Sequence, residues 1–373
     1  MAEARATVTR AVGDARPASY HTYRRYARRK VLIVVGLVLS LLVLAVVAMA
    51  LGSADLSPLD VLKTMVGLGD ERTRQIVFQI RGPRVVSAIV AGAGLSLAGC
   101  IMQNVLQNPL ASDYTLGVSQ GAAFGAAIAI VAMGAGTTQT AGAGLDAVMV
   151  NNPYLVSVAA FAGALVATLA ILLMARYRGI TPEAMVLAGV AMGSLFAAGT
   201  VITQYFATDI QVASIVFWTF GDLGRASWRD VLIMTAVTIP IMVYFVARRW
   251  DYNALSSGDD IARSLGVHVQ RTRMVGMLLA SLMTAVTVSF LGIIAFIGLV
   301  APHLMRRIVG SDYRFLIPAT VAMGALLLLA ADTVARTIIA PVVLPVGAIT
   351  SFMGAPLFIY LLIRGYGARE RAR

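Results

Sequence analysis

The apolar residues of this chain come in uninterrupted blocks of about 18 to 24, the length that carries a helix across a hydrocarbon core of roughly 30 Å. A soluble helix of that length would keep one polar face, and these blocks keep almost none. Over 373 residues, 59% are hydrophobic and 13% are charged. Soluble domains sit nearer 45–50% and 25%, so a soluble domain is excluded. The pattern predicts an all-α polytopic membrane protein with about ten transmembrane helices. The expected spans are Val31–Leu51, Val85–Leu106, Gly117–Gly134, Tyr154–Met174, Pro182–Phe206, Val231–Val246, Met274–Phe290, Leu291–Met305, Phe315–Val334 and Val346–Ile363. The seventh and eighth form one apolar run, divided at Leu291 and Gly292.

A formal charge of +12 invites a nucleic-acid reading, so the placement of the charge decides its meaning. Arg24, Arg25, Arg28, Arg29 and Lys30 precede the first span, as a cytoplasmic anchor does. With sides alternating from there, the inner segments are 1–30, 107–116, 176–178, 248–273, 302–314 and 364–373, and they hold 22 of the 30 basic residues. Topology therefore accounts for the charge without nucleic acid. The first span is too long for a cleaved signal core and nine more follow, so retention is expected. Residues 1–30 then form a cytoplasmic tail whose first 20 residues are polar, 31–365 a single transmembrane domain, and 366–373 a second cytoplasmic tail. The one cysteine, Cys100, falls inside the second span, where it reads as a small packing residue.

Small residues mark several spans. Gly117, Gly121 and Gly125 share one helix face, and the second span carries Gly92, Gly94 and Gly99. Tight packing inside the chain and the lining of a translocation path both fit such stripes. The inner loop 248–273 is the most informative polar segment. Asp259 and Asp260 suit a helix N-terminus, Gly266 suits its stop, and Ile261 and Leu265 fall at i and i+4. A short amphipathic helix at the cytoplasmic surface is expected; Ile261 and Leu265 fit docking of a cytoplasmic partner better than the alternative, a solvated linker.

The chain carries two lysines, Lys30 and Lys63, and neither follows a glycine, so no phosphate-cradling Gly-Lys-Ser/Thr motif exists here. ATP-driven work must come from another polypeptide. Ion-coupled carriers hold acids or histidines within their spans, whereas the candidates here narrow to Asp332, with Arg336 one turn on, and Glu183 at a span end. Asp332 and Arg336 are spaced for a structural ion pair on one helix face. His21, His268 and His303 lie far apart and out of ligand spacing, so no metal site is expected, and no catalytic constellation is present.

An ordered series of short motifs is more specific. It opens with Ile80-Arg81-Gly82-Pro83-Arg84, Ala91-Gly92-Ala93-Gly94-Leu95-Ser96-Leu97-Ala98-Gly99 and Gln107-Asn108-Pro109-Leu110-Ala111. Leu116-Gly117-Val118-Ser119-Gln120-Gly121, Leu187-Ala188-Gly189-Val190, Phe217-Trp218 and Ala262-Arg263-Ser264-Leu265-Gly266 come next. Phe296-Ile297-Gly298-Leu299-Val300-Ala301-Pro302-His303, Ala331-Asp332-Thr333-Val334-Ala335-Arg336, Leu344-Pro345-Val346-Gly347 and Gly354-Ala355-Pro356-Leu357-Phe358 complete it. Over roughly residues 55–365 the series resembles the FecCD family, permease subunits of ABC importers for iron–siderophores, haem and cobalamin.

The resemblance implies a cobalamin-permease-like fold in a prokaryotic cell membrane, with both termini cytoplasmic. It implies a second permease subunit, expected as an identical copy, two cytoplasmic ATPases and an outer binding protein. ATP and Mg would bind the ATPases, leaving this chain without a cofactor. Gly258, Asp259, Asp260, Ile261, Ala262, Arg263, Leu265 and Gly266 match the family's coupling element. Asn108 and Leu110 match one inner gate segment, and Thr181, Pro182 and Glu183 the second, where family members often carry two small hydroxyl residues instead. Arg72 and Arg336, with Arg74 nearby, resemble the outer arginines that meet acidic residues of the binding protein. A ferric siderophore or haem is the expected cargo, with cobalamin as the alternative within the class. A stand-alone ion-coupled carrier and an intramembrane enzyme are the rivals from other classes.

Overall fold

The computed structural model describes residues 2–52, 56–141, 145–150, 152–178, 181–340 and 342–370. The chain opens with α1 (Ala2–Ala50), α2 (Pro58–Met65) and α3 (Glu71–Gln75), which runs through a wide π turn (Ile76–Arg81) into α4 (Gly82–Val105). Next come α5 (Val118–Val131), strands β1 (Gly136–Ala141) and β2 (Leu145–Val150), and helices α6 (Pro153–Arg178), α7 (Pro182–Tyr205) and α8 (Asp209–Thr219). A 3₁₀ turn (Leu223–Arg225) leads to α9 (Trp228–Ala247), then α10 (Arg249–Ser256) and α11 (Asp259–Ser264). The chain closes with α12 (Val269–Leu291), α13 (Ile297–Val309), α14 (Tyr313–Thr337) and α15 (Val346–Glu370).

The ten expected spans fall on α1, α4, α5, α6, α7, α9, α12, α13, α14 and α15. Seven helical stretches among the described residues are long and apolar enough to cross a membrane, and α5 and α15 add shorter apolar helices. α13 differs from the full span expected there. It has 13 residues, about 20 Å of rise, and starts at Ile297 rather than Leu291 because Gly292, at φ +78°, ends α12 and residues 292–296 are not helical. Two further boundaries move. α1 reaches back to Ala2, where a polar tail was expected, since Ala, Arg and Glu are strong helix formers. The inner loop 248–273 is largely helical, divided among α10, α11 and the first turn of α12. Between α5 and α6 the chain forms an antiparallel hairpin, with Gly136 paired to Val150 and Ala141 to Leu145. Threonine and valine enrichment suits those strands.

α4 lies at the centre, against α14, α12, α13 and α9, while α5 packs on α6 and α7. The π turn before α4 has a local cause. Pro83 has no N–H to give the preceding turn, and the Gly82 amide bonds instead to Val77 O, five residues back. The glycine stripes are spent on these crossings. A Cβ on Gly92 would strike the Gly324 carbonyl of α14, one on Gly99 the Gly298 carbonyl of α13, and those on Gly121 and Gly125 the Gly163 and Ala159 carbonyls of α6. Close backbone approach of this kind holds helices together in lipid, where apolar surface alone gives no preference between helix and tail. Packing inside the chain is thus what the stripes at 92–99 and 121–125 do.

Candidate functional site

The end of the helical bundle expected to face inward carries a dense polar construction. α11 starts at Gly258 (φ +110°), with Asp259 and Asp260 in its first turn, where carboxylates favour the positive helix end. It stops at Gly266 (φ +82°), whose amide bonds to Arg263 O at 3.0 Å while the Val267 amide bonds to Ala262 O at 3.0 Å. That paired closure needs a left-handed residue, which glycine supplies without strain. Ala262 is fully buried beneath the helix, whereas Ile261 is 51% and Leu265 67% exposed. The two apolar side chains therefore point away from the protein, beside the exposed Asp260 and Arg263.

Asp259 turns the other way and fastens α11 to two transmembrane helices. Its Oδ1 and Oδ2 accept from Arg273 Nη2 and Nη1 at 2.7 and 2.9 Å. Oδ1 also accepts from Gln107 Nε2 at 3.1 Å. The same Arg273 donates through Nε to Val105 O, the last carbonyl of α4, at 3.0 Å. Arg263 lies 3.8 Å from Asp259 and 3.0 Å from Asp260. Charge-assisted, bidentate pairs of this geometry are the strong hydrogen bonds of proteins. Sequence reasoning missed Arg273 and Gln107. The one available hint was that Arg273 is the last basic residue before the seventh expected span.

Gln107 belongs to the turn that follows α4, and its φ of +47° is unusual for a residue with a side chain. Next to it, Asn108 Oδ1 accepts from the Leu110 amide at 2.9 Å, which folds the turn on itself and leaves Leu110 exposed. The second expected gate segment begins α7. Thr181 Oγ1 accepts from the Ala184 amide at 3.5 Å, Pro182 occupies the first turn where no N–H is needed, and Glu183 sits beside it. Thr181 and Pro182 share an open cleft of about 970 Å³ with Asp259, Arg263 and Arg273. The structure thus brings the segment expected as the second gate and α11 to one concavity, and joins the turn expected as the first through Gln107.

At the opposite end, Arg72 and Arg74 are exposed on α3. Arg336 is placed otherwise than an outward docking arginine would be. Its side chain is 9% exposed and pairs with Asp332 at 3.1 Å, and its Nη1 and Nη2 donate to Leu51 O and Ala48 O at 3.1 and 2.9 Å. Asp332 is fully buried and also accepts from Arg84, whose Nη2 lies 2.8 Å away. Arg81 completes the set, donating to Met49 O and Ala50 O at 2.6 and 2.8 Å. Arginines therefore satisfy the last carbonyls of α1, which have no partner within the helix. The ion pair read from the i, i+4 spacing of Asp332 and Arg336 is present, and Arg84 is the partner that the spacing could not reveal. His303 packs its ring against Phe358 of α15, with 6.0 Å between centroids.

Apolar helices packed at glycines, with an exposed helix clamped to one end of the bundle, make the architecture of a multi-pass membrane protein. The chain belongs to the FecCD transport family, whose model matches residues 32–364. It is 51% identical over 344 residues to a Methanocaldococcus jannaschii chain named as an ABC transporter permease, covering 92% of this chain and 97% of that one. It is 35% identical over 346 residues to the Fe(3+)-citrate import system permease of Bacillus subtilis, covering 91% and 96%. It is 34% identical over 330 residues to the hemin transport system permease of Yersinia pestis, covering 88% and 96%. Among solved structures, a metal-chelate type ABC transporter in an inward-facing conformation superposes with a TM-score of 0.77 at 28% identity, covering 89% of this chain and 99% of that one. The chain is a multi-pass membrane protein.

Proposed function

We propose that this chain is the permease subunit of an ATP-driven importer for a metal chelate, a ferric siderophore or haem. Two such subunits enclose the path, two cytoplasmic ATPases hold the ATP and Mg, and an outer binding protein delivers the cargo. Both chain termini lie in the cytoplasm. The observation that carries this reading is α11. Its outer face offers Ile261 and Leu265 to a partner while Asp259 fastens it to Arg273 and Gln107.

Movement of the ATPases would reach the membrane through that clamp. A displacement of α11 draws on Arg273 at the start of α12, on the end of α4 through Val105, and on the Asn108–Leu110 turn through Gln107. Thr181 and Pro182 border the same cleft, so the second gate segment lies within reach of the motion. Arg72 and Arg74 supply the exposed cationic surface for the binding protein. The sparse charge in the spans disfavours an ion-coupled carrier.

The test is reconstitution in vesicles with and without the ATPase and the binding protein. ATP-dependent uptake of a ferric chelate only in the complete assembly is expected. Uptake by this chain alone, driven by an ion gradient, would overturn the subunit reading.

A further inference from the structure

Resting on that reading, we infer that the inner cleft beside the second gate segment receives a net-anionic chelate, so that anionic ferric complexes and haem carboxylates fit this permease and an uncharged corrinoid does not. The cleft is lined by Arg176, Arg263, Arg271 and Arg273, and by one carboxylate, Asp259. Arg273 already holds both oxygens of that carboxylate. Among the described residues neither Arg176 nor Arg271 forms an ion pair, and the one further partner of Arg263 is the exposed Asp260. Glu183 does not line the cleft, although it lies close enough to be attracted by Arg273.

Arginines are common along the inner edge of any membrane protein, so convergence is what matters here. Four guanidiniums from the end of α6, from α11 and from the start of α12 meet in one concavity whose wall includes Thr181 and Pro182. Four cations against one carboxylate leave this wall with an excess of positive charge, and a concave wall with such an excess concentrates anions in the space it encloses. At about 970 Å³, that space is at the upper end of the range that takes small ligands. Ferric citrate and haem bring carboxylates that match bidentate guanidinium geometry. Cyanocobalamin is uncharged and would gain nothing from the same field.

The experiment measures binding of ferric citrate and of cyanocobalamin to the full chain in lipid nanodiscs at low and high salt. Ferric citrate is expected to bind at least about tenfold more tightly at low salt, with the preference collapsing as salt shortens the screening length to a few ångströms. R176Q combined with R271Q should remove most of that preference, R176K with R271K should keep it, and R249Q, on the same face outside the cleft, should leave it intact. Equal binding of the two probes, a salt-independent preference, or an equal loss in R249Q would overturn the inference. Should the double glutamine variant not fold, the salt dependence of the unmodified chain decides alone. ATP-driven uptake by the complete assembly is scored separately. Absence of any uptake removes the permease reading, whereas uptake without a charge preference removes only this inference.

Discussion

Arg273 holds both carboxylate oxygens of Asp259, at 2.7 and 2.9 Å, while its remaining nitrogen is bonded to the end of α4. A surface helix and two transmembrane helices thus share one guanidinium. D259N or R273Q should cost this junction about 2 kcal/mol of docking energy. ATP hydrolysis in the assembly should continue while uptake per ATP falls by about tenfold. The exchange of both residues, D259R with R273D, should recover part of the loss, and identical ratios in all variants would exclude a transmitting role.

The outward face of α11 predicts a different phenotype. Ile261→Asp and Leu265→Asp change exposed side chains, so stability should move by no more than about 0.5 kcal/mol. Capture of the ATPase, measured by co-purification, should fail. A variant that retains the ATPase at full occupancy would show that this face is not the contact.

Asp332 is buried between Arg84 and Arg336. Its replacement by alanine takes the buried carboxylate from two guanidiniums, leaving Arg336 its bonds to the Ala48 and Leu51 carbonyls and Arg84 the looser Asp222 pair. Breaking a buried ion pair costs about 3–5 kcal/mol. Thermal unfolding in detergent should show D332A as the most damaging single substitution at this end of the bundle. Arg336→Ala should cost less, since the Arg84 pair survives while the Ala48 and Leu51 carbonyls lose their donor.

Asp312 caps α14 and accepts from Asn253 and Arg314. Burial alone would raise its carboxyl pKa, but the Arg314 and Asn253 hydrogen bonds outweigh it and hold the value below the usual carboxylate range. A depressed folded-state pKa gives stability that is complete above the unfolded value, about 3.9, and is lost as pH falls through the folded one. The stability gap between the native chain and D312N should therefore be full near neutrality and close in acid below about pH 4. A gap that widens as pH falls would refute the assignment.

Glycine positions separate packing from tolerance. G99L and G121L would drive side chains into facing backbone at the α4–α13 and α5–α6 crossings and should abolish folded protein. G36A meets nothing within 4 Å and should be neutral or slightly stabilising. Size-exclusion profiles distinguish these outcomes.

Much of the architecture was readable because lipid imposes so strong a demand on sequence. Apolar length located α4, α6, α7, α9, α12 and α14, and glycine spacing marked the crossings, though not which helix each glycine meets. The i, i+4 rule found Asp332 with Arg336, but no local rule reaches from Arg84 across the fold to the same carboxylate. Likewise Asp259 and Gly266 announced α11, while Arg273 and Gln107 became visible only when distant helix ends met. Arg336 carries a further contact that spacing did not show: beside the pair with Asp332 it donates to the Ala48 and Leu51 carbonyls at the end of α1.

The brevity of α13 bears on how the protein is made. Its apolar part ends at Arg306 and Arg307, and thirteen residues are too few for a translocon to release into lipid as a separate span. α13 must then enter with α12 or α14 as a unit. The bend that separates it from α12 is closed by the Phe220–Gly221 backbone and by Gly347, whose amide bonds to Phe220 O and whose Cα leaves no room for a side chain beside Ile293 O. Gly347 lies at the start of α15, more than 50 residues after the bend it closes. Sealing of this bend therefore waits until α15 has been made, and a chain cut short before Gly347 should be recognised by membrane quality control as unfinished.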